Sequence, residues 1–184
     1  MLVPLRMIFE RVHRARSDSD TALFHELLYA GEFILKLTTA VFVAAIQDDR
    51  DRHRYRLTHT LIRAAGIGDW SSVLDDALTG PASHFLLPVA KEDRRLFTER
   101  VGNDSWQFDA VNELHEVLRL NQNDYPATPA KIALRAWFSA FPELRNQTRA
   151  HGAPTAAFCH AACEPLERSL RLLADNAPSA MRQT

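Results

Sequence analysis

The feature that most constrains this chain is the stretch from Thr21 to Gln47. There Leu23, Phe24, Leu27, Leu28, Ile34, Leu35, Phe42 and Ile46 recur at helical spacing around most of a helix circumference. A helix with so wide an apolar face needs neighbours on several sides, as at the centre of a bundle. Glu32 and Lys36 interrupt the run, which argues against a membrane span. They are also four residues apart in the favourable order for an ion pair.

The rest of the chain repeats the helical period. Leu5, Ile8, Phe9 and Val12 form a stripe after Pro4, followed by the cap-rich Ser17-Asp18-Ser19-Asp20 break. Further helices are expected through Leu57 to Ile62, Trp70 to Leu78, Lys91 to Val101, Ser105 to Leu120, Pro129 to Arg149 and Thr155 to about Ala174. Pro142 should kink the penultimate helix or restart it near Glu143, and Pro165 should bend the last. Asn121 to Thr128 reads as a loop. With no run of alternating apolar and polar residues, the expected fold is all-α. At 184 residues and 46% apolar content the chain suits one domain, residues 1–175, with a flexible tail at 176–184.

Net charge is −1, so no overall field draws the protein to nucleic acid, and any such contact must use local charge. The cations are nineteen Arg against only Lys36, Lys91 and Lys131, and Arg suits bidentate phosphate contacts. Met1 to Met7 lacks the pattern of a secretory leader, so a cytoplasmic protein with no membrane association is expected. Cys159 and Cys163, one turn apart, read as small buried residues in a helix contact, because further metal ligands at suitable spacing are not evident. Asp48 to Arg56 is dense in charge and contains Tyr55. It reads as a solvated turn of ion pairs in preference to an RNA-contacting patch or the metal site of a helical hydrolase.

Near the C-terminus stands Arg145-Asn146-Gln147-Thr148-Arg149-Ala150-His151, followed by Gly152 and Pro154. An Arg followed some residues later by a His recurs by chance in so Arg-rich a chain, as at Arg6 to His13 and Arg52 to His59. Only Arg145 has Asn directly after it, and only this match closes an amphipathic helix before one final helix. The surrounding text, Leu144 through Pro154 (LRNQTRAHGAP), resembles the HEPN superfamily, in the form found in prokaryotic defence and toxin ribonucleases. The apolar helix Leu23 to Ile46 resembles that superfamily's early bundle helices, whereas Trp70 to Tyr125 would be helices inserted mid-chain.

The resemblance implies an up-and-down helical bundle acting as a metal-independent endoribonuclease of toxin or anti-phage type, with no cofactor. Arg145 and His151 would carry catalysis, Asn146 would support it, and the products would be a 2′,3′-cyclic phosphate and a 5′-hydroxyl. Those residue types fit the chemistry. A His transfers protons near neutral pH, an Arg fork braces phosphate oxygens, and an Asn amide orients either group. Arg149, one turn beyond Arg145, would either hold a flanking RNA phosphate or complement the helix terminus. Glu32 and Lys36 are candidates to support the catalytic Arg from the long helix, or else form a buried structural pair.

Six residues along a helix turn through about 600°, so Arg145 and His151 stand about 120° and roughly 9 Å apart on an unbroken helix. One phosphate cannot meet both squarely. Either the helix unwinds before His151, as Gly152 permits, or two chains share the site, and the resemblance implies a homodimer with a composite cleft. Partners beyond RNA would be an antitoxin or a fused or associated sensor protein. The alternative is a bundle without activity that serves dimerisation or partner binding.

Overall fold

A computed structural model describes residues 2–47, 50–149 and 154–178, with Arg149 described in its backbone only. The described residues form eight α-helices: α1 (Val3–Ala15), α2 (Asp20–Ala44), α3 (His53–Ile62), α4 (Ile67–Thr79), α5 (Pro88–Thr98), α6 (Trp106–Asn121), α7 (Arg135–Arg149) and α8 (Ala156–Asp175). A 3₁₀ turn (Pro81–Phe85) precedes α5. A minimal antiparallel ribbon pairs β1 (Arg100–Val101) with β2 (Ile132–Ala133). The fold is all-α.

The helix starts follow local chemistry. Ser19, Ser105 and Thr155 each accept a hydrogen bond from the backbone N–H three residues on, which caps α2, α6 and α8. Pro4 and Pro88 sit in the first turns of α1 and α5, where a missing N–H costs nothing. The long α2 occupies the centre, with α1, α4 and α8 packed on it and α6 lying along α8. Leu27, Leu28, Ala30 and Leu35 of α2 are buried together with Leu114 of α6 and Leu166 and Leu170 of α8. By length and apolar character α2 could also cross a bilayer, but just over half of its most apolar window is buried inside the fold.

Two local expectations change. The helix expected over Lys91 to Val101 runs instead from Pro88 to Thr98, and the one expected from Pro129 begins at Arg135. In both places the displaced residues are the two rungs of the ribbon, Arg100 opposite Ala133 and Val101 opposite Ile132. A ladder this short leaves no periodic trace. Pro142 does not divide α7, which is continuous across it. A proline there leaves the carbonyl of Phe138 without its helical donor, and the hydroxyl of Ser71 in α4 donates to that carbonyl at 2.8 Å. Pro165 is likewise accommodated within α8. Packing continues a little past Asp175: the Asn176 amide donates to Leu172 O, and Ala177 is buried in the core.

Candidate functional site

The helix carrying the motif is anchored by its apolar face. Trp137, Phe141 and Leu144 are fully buried, and Thr148 continues that face, its hydroxyl donating to Leu144 O. The Trp137 and Phe141 rings stack with centroids 4.9 Å apart. Trp137 Nε1 donates to Ser169 Oγ at 2.8 Å, and that hydroxyl donates onward to Ala110 O at 2.6 Å. One buried chain of hydrogen bonds thus ties α7 to α8 and α6.

Against α2 the fit is closer still. A Cβ placed on Gly31 would lie 2.3 Å from Cε2 and Cζ of Phe141, so the ring rests on the bare α2 backbone. The next residue of α2 is Glu32, and one turn beyond Phe141 on α7 is Arg145. The glycine contact brings these two together: Arg145 Nε donates to Glu32 Oε1 at 2.8 Å. Lys36 Nζ stands 3.8 Å from the other carboxylate oxygen and 5.9 Å from the centroid of the Trp70 ring. Arg145 Nη1 also faces Asn146 Oδ1 at 3.4 Å. Among the described residues, its Nη2 group has no acceptor.

Of the sequence-derived candidates, Arg145, Asn146, Glu32 and Lys36 therefore form one connected cluster across α2 and α7. Arg145 is 25% exposed and Glu32 12%. The guanidinium is thus fixed from behind by a largely buried carboxylate, while one of its edges keeps unspent donors. Such an Arg can brace an anion without first paying the entropy of ordering its side chain. His151 and Gly152 lie outside the described residues, as does the side chain of Arg149, so their geometry does not enter the cluster.

The two cysteines sit in the contact between α8 and the start of α2. Both are buried, and Cys163 Sγ donates to Asp20 O at 3.3 Å. Burial, and then the Asp20 charge, push the Cys163 thiol up to about 12, and burial raises Cys159 as well. Such thiols stay protonated and pack as small apolar groups. In the charge-dense segment, Asp48 and Asp49 lie outside the described residues, and Tyr55 is exposed with its ring stacked on His59. Among the described residues no three His, Cys, Asp or Glu side chains gather as a metal site. His115 stands out by no motif or spacing in the sequence, yet it lines an open groove of about 620 Å³ with Tyr125 and Glu143. No spacing signals this, because the loop after α6 folds back to place Tyr125 beside it.

Comparison with the sequence models of known protein families, with characterised proteins and with solved structures finds no match.

Proposed function

We propose that this protein is a metal-independent endoribonuclease of the HEPN type, acting in toxin or anti-phage defence. Arg145 braces the scissile phosphate, Asn146 orients the reacting groups and His151 transfers the proton. The observation that carries the reading is the setting of Arg145. It lies on the last turns of a rigidly anchored helix, is held at Nε by Glu32, sits beside the Asn146 amide, and has no acceptor at Nη2 among the described residues. In this reading Glu32 and Lys36 position the Arg without touching RNA. Attack of the ribose 2′-oxygen on the adjacent phosphorus breaks the bond to the 5′-oxygen, which leaves with a proton. The products are a 2′,3′-cyclic phosphate and a 5′-hydroxyl. The resemblance, and the angular separation that an unbroken helix would impose on Arg145 and His151, make a homodimeric, composite cleft part of the proposal. A cytoplasmic setting, with an antitoxin or sensor partner, belongs to it too.

The same ion pair favours a second reading, in which the Arg145–Glu32 pair only fastens α7 to α2 and the bundle serves as a dimerisation or partner-binding module. Incubating the protein and its Arg145→Ala and His151→Ala variants with RNA in EDTA separates the two. The enzyme reading expects cleavage by the wild type in EDTA and a loss on the order of a hundredfold or more in each variant. No cleavage, or equal cleavage by all three, would overturn it.

A further inference from the structure

On the face of α7 turned away from Arg145 runs the open groove of about 620 Å³, bounded by α6, the loop after it and the short ribbon. Its charges are arranged at opposite ends. At one end Arg100 donates through Nε and Nη2 to Lys131 O, at 3.2 and 2.7 Å, and Arg135 donates from Nη1 to Asp75 Oδ1 at 2.8 Å. Backbone and side chain thus hold both guanidinium groups, yet Arg100 Nη1 and Arg135 Nη2 have no acceptor among the described residues. Arg100 has no carboxylate partner among the described residues. At the other end Glu143 Oε1 accepts from the amides of Gln122 and Gln147, at 3.0 and 3.1 Å. No cation neutralises Glu143 among the described residues.

Between the two ends stand two rings. His115 is 7% exposed, and its Nδ1 is paired with Thr128 Oγ1 at 3.0 Å. Its Nε2 has no protein partner among the described residues and the ring lines the groove. Burial, and then Arg119, hold it below its ordinary value, so at neutral pH it faces the groove uncharged, able to donate or accept one hydrogen bond. The Tyr125 ring meets it edge-on, with centroids 5.3 Å apart. From Arg135 to Glu143 is eight residues of helix, about 12 Å along the axis.

We propose that this groove binds a nucleotide whose base carries an amino group. Its phosphate would be taken by the forks of Arg100 and Arg135, its base by Tyr125 and the Glu143 carboxylate. Arg100, with no carboxylate partner among the described residues, supplies the charge that a phosphate needs, and Arg135, paired with Asp75, adds fork donors. An aromatic face takes a base without regard to sequence. An unneutralised carboxylate accepts from an exocyclic amine, as on cytosine or adenine, and finds only a single N–H between two carbonyls on uracil. A ligand with an anion at one end and a flat hydrogen-bond donor at the other matches the two Arg forks and the Glu143 carboxylate. The site is independent of the proposed cleavage chemistry, because Glu143 and Arg145 project about 200° apart around α7.

Calorimetric titration of the full chain tests this with AMP, CMP, UMP, inorganic phosphate and a 2′-O-methylated hexanucleotide that cannot be cleaved. Binding of AMP and CMP about tenfold tighter than UMP or phosphate is expected. Arg135→Ala and Glu143→Gln should each weaken AMP binding roughly fivefold or more, and Glu143→Gln should also erase the preference over UMP. Arg145→Ala should leave AMP binding unchanged, which separates this site from the cleavage reading. In the Arg145→Ala background, which removes the proposed cleavage contact, a hexanucleotide bound more tightly than AMP and weakened by Arg135→Ala assigns the groove to an RNA strand, and equal affinities assign it to free nucleotide. Absence of nucleotide binding would overturn the proposal. So would UMP binding as tightly as AMP, or affinities unmoved in groove variants that melt like the wild type.

Discussion

Replacing Gly31 by Ala adds one methyl group at the point where the Phe141 ring rests on the α2 backbone. Two effects oppose each other. In a helix interior the exchange gains up to about 1 kcal/mol in propensity, because Ala loses less backbone freedom on folding. Against this, the new Cβ would fall 2.3 Å from two ring carbons, well inside contact distance. Phe141 cannot step aside cheaply: it is fully buried and stacked on Trp137, whose indole N–H is itself fixed by Ser169. Overpacking of a well-filled core costs typically 1–3 kcal/mol, and a site with so little freedom belongs in the upper half of that range. The net expectation is a loss of about 1–2 kcal/mol, read by calorimetry as a fall in Tm of roughly 3–6 °C for a chain of this size. Because Arg145 follows Phe141 by one turn, spreading the two helices also lengthens the Arg145–Glu32 contact. Under the proposed ribonuclease reading, RNA cleavage measured well below Tm should therefore fall further than the small unfolded fraction explains. A compensating Phe141→Leu exchange should restore part of both. A Tm that rises in Gly31→Ala would refute the reasoning, since it would mean that helix propensity, and not the close approach, decides the energetics at this contact.

Two further outcomes follow from buried ionisable groups. With its thiol held up at about 12, Cys163 should react with iodoacetamide at pH 8 about a thousandfold more slowly in the folded protein than in urea; equal rates would contradict its burial. Folding lowers the His115 pKa, so the unfolded chain binds more protons just below the ordinary value of 6.5. The stability tied to neutral His115 is then complete above that value and is lost as pH falls toward the lower folded one. Urea midpoints from pH 7.5 to 5.0 should drop more steeply for the wild type than for His115→Asn, and parallel curves would count against it.

Much of the architecture was legible because helices advertise themselves locally. The apolar period marked α2 as central, and the Ser17-Asp18-Ser19-Asp20 break was legible as its cap, supplied by Ser19, because capping uses a residue's own neighbours. Glu32 and Lys36 were likewise visible as a pair on one helix face. Arg145 lies 113 residues from Glu32, and their meeting depends on an aromatic ring fitting against a glycine, which no local pattern encodes. The same holds for the end of α5 at Thr98 and the start of α7 at Arg135, set by a two-rung ribbon whose halves are about thirty residues apart. The groove shows the limit most plainly. His115, Tyr125 and Glu143 belong to a helix, a loop and another helix, and only the return of the loop through Thr128 assembles them.

The hydrogen bond from Ser71 to Phe138 O carries a consequence for how the parts of this chain depend on one another. A proline inside a helix makes a natural hinge, and here the hinge is locked by a donor that belongs to a different helix. The continuity of α7 across Pro142, and with it the placing of Arg145 and Asn146, therefore depends on α4 being docked as much as on α7's own sequence. The mid-chain helices, which by position look like decoration on a smaller bundle, work as a splint for the segment that carries the motif. Shortening the protein to its first and last helices would remove the splint along with the insertion.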